Sequence, residues 1–390
     1  MKIRSWLKYL FLLTVVSSVI YSCTVSSGMA LSSSRKPYEL AYKPFNVEAV
    51  AFNQFSSTTL YLNIDKSHLL YTRESSTLPF VAKFSLKVDT LKFSFNDTLK
   101  SDSDKLLKKD ITFPSGADYL EIILTDNNRN VSEKTSVKVD DYLVWDLEKN
   151  SAIKAGSIET GKKIMIHSPG VDHWEVYLAH PTTSLPAPPF SGSRNPLDTV
   201  RARPFDHCDG KWTVVDGCQF LYNPETNRNL IINGRTADFP KSINVVDLIN
   251  STRYIATRAE YEKLQTAEHP KLALDEFWLK CGGNENKAKR LISTYYDRVE
   301  EANTFFSGMQ EGWRTDRGMV HIVMGVPDMI RRFSWREVWI YGDEGTSNCI
   351  IYVFNKKSHD LDDNIFILDR NIAYRGSWDR MVTAWRNGRI

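Results

Sequence analysis

The sequence predicts a mostly β protein that ends in a C-terminal α+β domain. Between about residue 45 and residue 248, short runs of strand-forming residues alternate apolar with polar side chains and are separated by turn residues. After about residue 250, apolar residues recur at the three-and-four spacing of amphipathic helices, and strand-like runs then return. The change near residue 250 from the period of strands to the spacing of helices divides the body of the chain into a β-rich part and a mixed part.

The composition is that of an ordinary globular protein. The chain has 390 residues, which is enough for several domains with their own cores. Hydrophobic residues make up 42% of it and charged residues 25%, both of which are usual values. The 50 basic and 47 acidic side chains nearly cancel and leave a formal charge of +3. Since a nucleic-acid partner would require a clustered basic face, we expect no nucleic acid among the partners.

Residues 1–23 have the plan of a bacterial secretion signal. A basic stretch precedes the apolar run Leu10–Ile20, which is too short to span a membrane comfortably. The run leads into Ser22-Cys23, and this end resembles the lipobox of bacterial lipoproteins. The resemblance implies lipidation of Cys23 and a lipid-anchored protein of the outer membrane, facing the periplasm or the cell surface. A plain signal peptide and an uncleaved anchor are the alternatives.

Two regions follow the signal. Residues 24–44 are rich in serine and lack periodicity, so we expect a flexible tether without fixed structure. Residues 45–140 contain runs with a period of two, which predicts antiparallel strands with one solvent-facing side. We predict an immunoglobulin-like β-sandwich for this region. Its runs are Leu60–Ile64, Phe80–Val88, Leu91–Phe95, Tyr119–Leu124 and Thr135–Val139.

Residues 141–248 are predicted to form a second β-rich domain. Ile164–His167 and His173–Leu178 flank a run of turn residues, which predicts a hairpin. The proline-rich segment Pro181–Pro196 is predicted to be an extended loop.

Two groups of residues raise the question of a metal site, and for neither is one predicted. The polar run Asp126–Asn130 has calcium-type ligands, but Asp and Asn are also the ordinary residues of turns. His167, His173 and His180 are spaced across a turn and match no close ligand pair. We therefore expect neither a bound metal nor a cofactor.

The cysteines of the body permit one candidate disulfide. Cys208 and Cys218 flank a hairpin-like stretch in a compartment that allows disulfides, and free thiols at both positions are the alternative. Cys281 and Cys349 are left to pair or to remain thiols. No two cysteines have the close spacing of zinc ligands, which argues against a structural zinc site.

Residues 249–390 are predicted to form an α+β domain in which helices pack on an antiparallel sheet. The longest predicted helix is Glu285–Phe306, whose apolar residues leave one face to be buried. Gly282-Gly283 is predicted to end the helix before it, and Ser377 to cap the last helix. The other predicted elements are helices at Tyr254–Ala267 and Lys271–Cys281 and strands at Met319–Met324, Glu337–Tyr341, Cys349–Phe354 and Ile365–Leu368.

The run Gly312–Gly318 lies between the long helix and the first of these strands. We interpret it as a helix stop, a buried indole and a turn that begins the strand. Trp313 is predicted to lie in the interface between helix and sheet. Asp316 is predicted to accept hydrogen bonds from backbone amides of its own turn.

This run and the residues after it resemble the family named for its Gly-Trp-any-Thr-Asp motif, the GWxTD family. The resemblance implies a bacterial lipoprotein-like protein with a strand-rich N-terminal part and this domain at the C-terminus, and it implies no catalytic residues. We expect structural roles for the residues that carry it. These are Gly312, Trp313, Thr315, Asp316, Arg317, Gly318, Gly325, Pro327, Asp328, Glu337, Trp339 and Tyr341.

The function predicted from these features is that of a non-enzymatic, membrane-anchored protein-interaction module. An accessory subunit of an outer-membrane assembly or secretion complex is one form of it, and other envelope proteins are then the expected partners. A glycan-binding lipoprotein is the alternative, motivated by the ten tryptophans and the β-rich domains.

Catalysis is a further alternative, although the chain lacks the familiar motifs of serine hydrolases, zinc proteases and phosphate-binding loops. Asp316 and Glu337 with His321 beside them could form a catalytic set. The structural interpretation places Asp316 in a turn, pairs Glu337 with Arg314 or Arg317, and puts His321 on a strand. We therefore predict no catalytic residues.

Overall fold

A computed structural model describes residues 32–35, 47–99, 105–114, 116–180, 184–192, 201–359 and 361–390. The predicted signal peptide with Cys23, and most of the predicted tether, lie outside the described residues. The described part is mostly β, with N-terminal sheets followed by C-terminal helices and a further sheet, as the sequence predicts. None of the described helices has both the length and the apolar character needed to cross a membrane.

The first eight strands include one that joins the C-terminal sheet and seven that form the first β region. They are β1 (Ser32–Arg35), β2 (Val47–Gln54), β3 (Ser57–Asp65), β4 (Val81–Val88), β5 (Leu91–Thr98), β6 (Leu106–Pro114), β7 (Tyr119–Asp126) and β8 (Val131–Asp140). Strands β2 to β8 are connected in the order β5-β4-β7-β8-β2-β3-β6. A single parallel contact, in which Ala51 and Phe52 face Val139 and Asp140, joins β2 to β8.

The two halves of this seven-stranded sheet share one apolar core. Leu60 of β3 comes from one half, and Phe84 of β4 and Ile122 of β7 come from the other. All three are at most 1% exposed. Two layers around one core are the arrangement of a β-sandwich, while the immunoglobulin-like connectivity stays a prediction.

The polar run Asp126–Asn130 is a turn held by the buried Asp126 carboxylate. Its Oδ1 accepts a hydrogen bond from the backbone N–H of Asn128 (2.9 Å), and its Oδ2 accepts one from Leu70 (2.9 Å). Arg129 forms an ion pair with the same carboxylate at 2.9 Å. These contacts are those of an Asx turn, in which the acidic side chain organises its own loop.

The second β region consists of two sheets that share a core containing Ile164, Trp174 and Leu230. Its strands are β9 (Leu143–Asp146), β10 (Ser151–Ile153), β11 (Gly156–Glu159), β12 (Lys163–His167), β13 (Trp174–Ala179), β14 (Arg203–Cys208), β15 (Lys211–Thr213), β16 (Gly217–Asn223) and β17 (Arg228–Arg235). The sheet orders are β10-β9-β12-β15 and β11-β17-β16-β13-β14. The hairpin predicted between β12 and β13 is wrong, because the turn after His167 carries the chain from one sheet to the other.

The described part of the proline-rich segment, residues 184–192, contains no helix or strand, as predicted. Its Leu185 and Phe190 pack against the core of the C-terminal domain.

The predicted disulfide between Cys208 and Cys218 is wrong, since both residues are free thiols. Cys208 lies opposite Trp174 on one side of β13, and Cys218 lies opposite Ala179 on its other side. Strand geometry places their Cα atoms roughly 19 Å apart, whereas a disulfide requires less than about 7 Å. Cys281 and Cys349 are free thiols as well.

The C-terminal domain combines six helices of the described chain with a five-stranded sheet. The helices are α1 (Val245–Ser251), α2 (Arg258–Gln265), α3 (Pro270–Gly282), α4 (Glu285–Phe306), α5 (Asp316–Met324) and α6 (Arg375–Arg386). The strands are β18 (Met329–Arg332), β19 (Arg336–Tyr341), β20 (Ile350–Lys356) and β21 (Phe366–Leu368). Helix α3 ends at Gly283 in the left-handed conformation (φ 72°), which confirms the predicted helix stop.

Helix α4 has the predicted bounds and packs into the core that includes the sheet. Tyr295 and Phe306 of α4 share this core with Trp339 of β19 and Tyr352 of β20. The four side chains are at most 1% exposed. The prediction that helices pack on an antiparallel sheet is therefore confirmed.

Two local predictions for this domain are wrong. Met319–Met324 is the body of helix α5 and not a strand. The prediction failed because a short, mostly apolar run that is buried on all sides shows no period that would tell a helix from a strand. Helix α6 begins at Arg375, and the Ser377 hydroxyl donates a hydrogen bond to the Tyr374 carbonyl oxygen at 2.9 Å instead of capping the helix.

Strand β1 extends the C-terminal sheet, whose order is β1-β18-β19-β20-β21. It pairs antiparallel with β18, so that Ser32 faces Arg332 and Arg35 faces Met329. Four residues of the predicted tether therefore have fixed structure, contrary to the expectation for residues 24–44. Backbone hydrogen bonds with an existing edge strand do not depend on the sequence periodicity by which strands are recognised.

Two small apolar clusters connect the successive regions. The first lies between the two β regions and contains Val50, Phe52, Leu143 and Ala152. The second lies between the five-stranded sheet of the second β region and the C-terminal domain, and contains Ala179, Cys218, Met309, Leu361 and Ile365.

Candidate functional site

The turn between α4 and α5 needs glycine at two positions because backbone packs directly on backbone. A Cβ on Gly312 would lie 1.8 Å from the carbonyl oxygen of Ala302 in α4. A Cβ on Gly318 would lie 2.0 Å from the carbonyl oxygen of Gly312. Neither gap admits a methyl group, so α4, the turn and α5 approach each other at a distance that only glycine permits.

Trp313 is fully buried in the core of the C-terminal domain, as predicted. Its indole N–H donates to Glu311 Oε2 at 3.0 Å, and the guanidinium of Arg314 lies 4.1 Å from its ring centroid. Its backbone is held from two other elements: its N–H donates to Asn303 Oδ1 (3.2 Å) and its carbonyl oxygen accepts from the Tyr254 hydroxyl (2.7 Å). All three polar groups of this buried tryptophan are thus satisfied within the protein.

Thr315 is the N-cap residue of α5. Its Oγ1 accepts a hydrogen bond from the backbone N–H of Gly318 at 3.0 Å and donates one to the Gly312 carbonyl oxygen at 2.7 Å. This is the preferred use of threonine at a helix N-terminus. Thr315 therefore organises the turn in the way that was predicted for Asp316.

Asp316 binds the edge strand β21 and the residue Arg370 that follows it. The prediction that it accepts hydrogen bonds from the backbone amides of its own turn is therefore wrong. Its Oδ2 accepts from the backbone N–H of Leu368 in β21 at 2.8 Å. Arg370 binds both carboxylate oxygens, at 3.0 and 2.5 Å, and also donates to the Ala187 carbonyl oxygen of the proline-rich loop at 3.1 Å. Two-point binding of a carboxylate by arginine is strong and directional. Asp316 thereby connects α5, β21 and the loop.

Arg317, the next residue of α5, also binds groups outside its own helix. It donates to the Asn364 carbonyl oxygen at 2.9 Å and to Asn364 Oδ1. Its guanidinium lies 4.1 Å from the ring centroid of Phe366 and 3.5 Å, measured from Nη1, from Glu337 Oε2. The residue is 3% exposed, so its charge is held inside the protein by these groups.

The carboxylate of Glu337 in β19 is shared by three donor residues. Besides Arg317, it accepts from Arg332 Nε (3.3 Å) and from the Trp339 indole N–H (3.0 Å). The predicted pairing of Glu337 with Arg317 is confirmed. Arg314, the other predicted partner, pairs instead with Glu311 and Asp247, at 2.8 and 3.3 Å.

The remaining motif residues lie where α5 turns into β18. The Tyr341 hydroxyl donates to the Gly325 carbonyl oxygen at 2.9 Å, and Gly325 has a φ of +86° that favours glycine. Pro327 is buried. Asp328 Oδ2 accepts from the Gly342 N–H at 2.7 Å, which joins this turn to the end of β19.

His321 is fully buried on α5 and pairs with a residue outside the motif. Its Nε2 lies 2.7 Å from Glu301 Oε2 of α4, and its Nδ1 has no hydrogen-bond partner among the described residues. Burial lowers the pKa of His321, against an opposing contribution from Glu301. Asp316 and Glu337 are each bound by arginines, so the three groups do not form one hydrogen-bonded catalytic set.

Residues 307–309, which lie just before the Gly312–Gly318 turn, are held by hydrogen bonds with residues that the sequence analysis did not single out. Asp362 Oδ2 accepts from the Met309 N–H at 2.7 Å, and burial raises the pKa of this carboxyl group. Arg235 of β17 donates to the Gly308 carbonyl oxygen at 2.5 Å. Asn364 donates to the Ser307 carbonyl oxygen at 2.9 Å. Polar residues beside strand ends were the only sequence signal for these contacts.

Three surface clefts of the described chain lie away from this network. One of about 330 Å³ lies between the two β regions and has Tyr119 and Tyr142 in its wall. Another of about 410 Å³ lies beside α4 and Ile390, and a third of about 650 Å³ lies near Tyr71. None of the three is lined by a motif residue.

Comparison with known proteins gives a match in the C-terminal part of the chain. The family model of the GWxTD domain matches residues 219–387. The match begins within β16 and includes β17, whose Ile231 packs against the apolar cluster between the second β region and the C-terminal domain. No curated protein matches the chain.

We expect Asp316→Ala to destabilise the protein by about 3–5 kcal/mol, because it leaves the largely buried Arg370 without its charge partner and the Leu368 N–H without its acceptor. The measurement is the free energy of unfolding from urea titration. Asp379→Ala is the matched control, since it breaks the exposed Arg375–Asp379 pair and should cost less than about 1 kcal/mol. Equal effects of the two substitutions would contradict the role given to Asp316.

We expect Gly318→Ala to destabilise the protein by about 3 kcal/mol, since the added methyl group has no space against the Gly312 carbonyl oxygen. Gly376→Ala is the matched control in the first turn of α6, where the new Cβ would come no closer than 3.9 Å to Arg380. That substitution should stabilise the protein by up to about 1 kcal/mol, because alanine favours helix. Thermal unfolding of the two variants under the same conditions tests the pair.

We expect His321 to make stability fall on acidification. Because folding lowers the pKa of His321, the unfolded chain binds the proton at a higher pH than the folded protein does. The contribution of neutral His321 to the free energy of unfolding is therefore complete above the unfolded pKa of about 6.5. This contribution is lost as the pH falls toward the folded-state pKa. The measurement is the difference in unfolding free energy between the wild type and His321→Gln, followed from about pH 7.5 to about pH 5. A difference that stays constant over this range would contradict the assignment.

Proposed function

We propose that this chain, which carries a GWxTD domain at residues 219–387, is a lipid-anchored envelope protein that acts as a non-enzymatic protein-interaction module. An accessory subunit of an outer-membrane assembly or secretion complex is the form of this function that we favour. The expected partners are other envelope proteins.

One observation carries the non-enzymatic part of the proposal. The residues in and beside the motif that could do chemistry are buried, and each is already bound by a group of the same chain: Asp316 by Arg370, Glu337 by Arg317, and His321 by Glu301. A catalytic carboxylate needs access to a substrate as well as a suitable pKa. This arrangement supports a role in which the motif builds the domain and the outer surfaces of the chain make the functional contacts.

The proposed anchor rests on the sequence of residues 1–23. An acylated Cys23 would attach the chain to a bilayer, and several acyl chains on one residue would make the attachment stable, because each buried methylene contributes about 0.8 kcal/mol. The successive β regions, joined by small apolar clusters, are suited to presenting binding surfaces away from the membrane.

The glycan-binding alternative gains no support from the tryptophans. Of the nine that the structure describes, seven are buried and cannot serve as stacking platforms for sugars. These are Trp174, Trp212, Trp278, Trp313, Trp339, Trp378 and Trp385.

The anchor is tested by metabolic labelling of cells with a fatty-acid analogue. We expect the wild type to carry the label and to fractionate with membranes, and Cys23→Ser to lose both properties. Cys349→Ser is the matched control, since Cys349 is a partly exposed free thiol in the body of the protein and its removal should leave the label in place. A label that persists in Cys23→Ser would contradict the anchor.

The interaction role is tested by mild detergent extraction followed by measurement of the mass of the purified species. We expect a complex with other envelope proteins in fixed stoichiometry. Recovery of the labelled protein only as a monomer, from cells cross-linked before extraction, would contradict this function.

A further inference from the structure

The connection between β18 and β19 exposes an aromatic and basic surface that the motif network does not use. We call Phe333–Arg336 the aromatic-basic tip. Trp335 is 47% exposed there, whereas most of the described tryptophans are buried. A backbone hydrogen bond from the Phe333 N–H to the Arg336 carbonyl oxygen closes the turn at 2.9 Å. The tip therefore presents its side chains on a short, closed turn at the end of a sheet.

The positive charge at the tip is stacked on its own aromatic rings. The Arg336 guanidinium lies 4.8 Å from the ring centroid of Phe333 and 5.9 Å from that of Trp335. Arg336 is partly exposed, and its buried Nε has no hydrogen-bond partner among the described residues. Lys356, at the adjoining end of β20, is exposed, and its backbone N–H donates to the Trp335 carbonyl oxygen at 2.7 Å.

The acidic residue nearest in sequence does not neutralise this charge. Glu337 is 5% exposed and is bound by Arg317, Arg332 and the Trp339 indole. Arg336 and Lys356 therefore leave the tip with a positive surface next to an exposed indole.

The register of β1 places the start of the described chain at this same end of the sheet. Ser32 faces Arg332, the last residue of β18 before the tip, whereas Arg35 faces Met329 at the far end. Ser32, the described residue closest to Cys23 in sequence, therefore lies at the tip end of the sheet. Nine Cα–Cα steps separate Cys23 from Ser32 and can span at most about 32 Å, so a bilayer holding Cys23 lies within that distance of the start of β1.

We infer that the aromatic-basic tip docks on the anionic phospholipid surface of the membrane that holds the lipid anchor, and that it keeps the GWxTD domain next to that membrane. Tryptophan favours the interface between headgroups and acyl chains, and arginine and lysine are attracted to anionic headgroups. This inference rests on the proposed lipid anchor at Cys23, and the short reach from the anchor raises the local concentration of membrane at the tip.

The test separates the tip from the anchor. The protein is the chain from residue 23 onward with Cys23→Ser, which removes both the acyl chains and the apolar run Leu10–Ile20 that would itself bind lipid. It is sedimented with vesicles of equal parts phosphatidylglycerol and phosphatidylcholine, and with vesicles of phosphatidylcholine alone. We expect binding to the anionic vesicles, weakened by added salt, and much less binding to the neutral ones.

Substitutions at the tip should reduce this binding by predictable amounts. Trp335→Ala should weaken partitioning about tenfold through lost apolar burial, and Arg336→Gln about fivefold through lost charge. Phe55→Ala is the matched control: Phe55 is an 88% exposed aromatic between β2 and β3, with no basic residue beside it, and its removal should leave binding unchanged. Unfolding midpoints equal to that of the unsubstituted chain show that each variant is folded.

Four outcomes decide the inference. Binding that follows the expected order supports it. Absence of binding to anionic vesicles, or equal binding by Trp335→Ala, Arg336→Gln and Phe55→Ala, overturns it. Vesicle binding through the tip in a protein whose Cys23 carries no label in cells supports the docking surface and overturns the proposed anchor. A labelled Cys23 without vesicle binding through the tip leaves the anchor standing and overturns the docking surface.

Discussion

The buried carboxylate of Asp316 is the interaction on which the C-terminal domain depends. A charge inside a protein costs several kcal/mol unless it is paired and hydrogen-bonded, so this residue can be buried only if its partners arrive with it. Those partners are the Leu368 N–H of β21 and the guanidinium of Arg370, which also holds the Ala187 carbonyl oxygen. The first residue of α5 thereby determines where the last strand of the sheet lies and how the proline-rich loop is attached.

Arg317, the next residue, continues the same constraint toward the rest of the protein. By binding Asn364 and Glu337 it positions the segment that leads into β21 and the central strand β19. That segment carries Leu361 and Ile365, which pack on the five-stranded sheet of the second β region. The internal geometry of the C-terminal domain and its junction with the β region in front of it are consequently coupled through two adjacent side chains of one short helix, Asp316 and Arg317.

The parts of this architecture that follow from local pattern were predictable, and the failures have identifiable causes. Helix α4 was predicted with its observed bounds, because a long amphipathic period and a following turn leave little ambiguity. Helix α5 was predicted as a strand, since Met319–Met324 is apolar except for His321. A short run that is buried on every face shows no period that would tell a helix from a strand. The Thr315 N-cap was the signal that could have corrected it. The spacing of Cys208 and Cys218 suggested one hairpin, but their strands lie on opposite sides of β13.

The sequence by itself determined the mostly β class and the change to helices near residue 250, because each depends on a pattern of neighbouring residues, and it predicted the burial of Trp313. The need for glycine at position 312 belongs to the tertiary structure, because Gly312 lies against the Ala302 carbonyl oxygen of α4. Only the tertiary structure decided which groups satisfy Asp316, where Arg370 and Asn364 act, and that β1 completes the sheet beside the aromatic-basic tip. These contacts join residues about fifty positions apart in the network, and about three hundred apart for β1 and β18. Hydrogen bonds and ion pairs at such separations leave no period in the sequence, since their geometry exists only after the chain has folded.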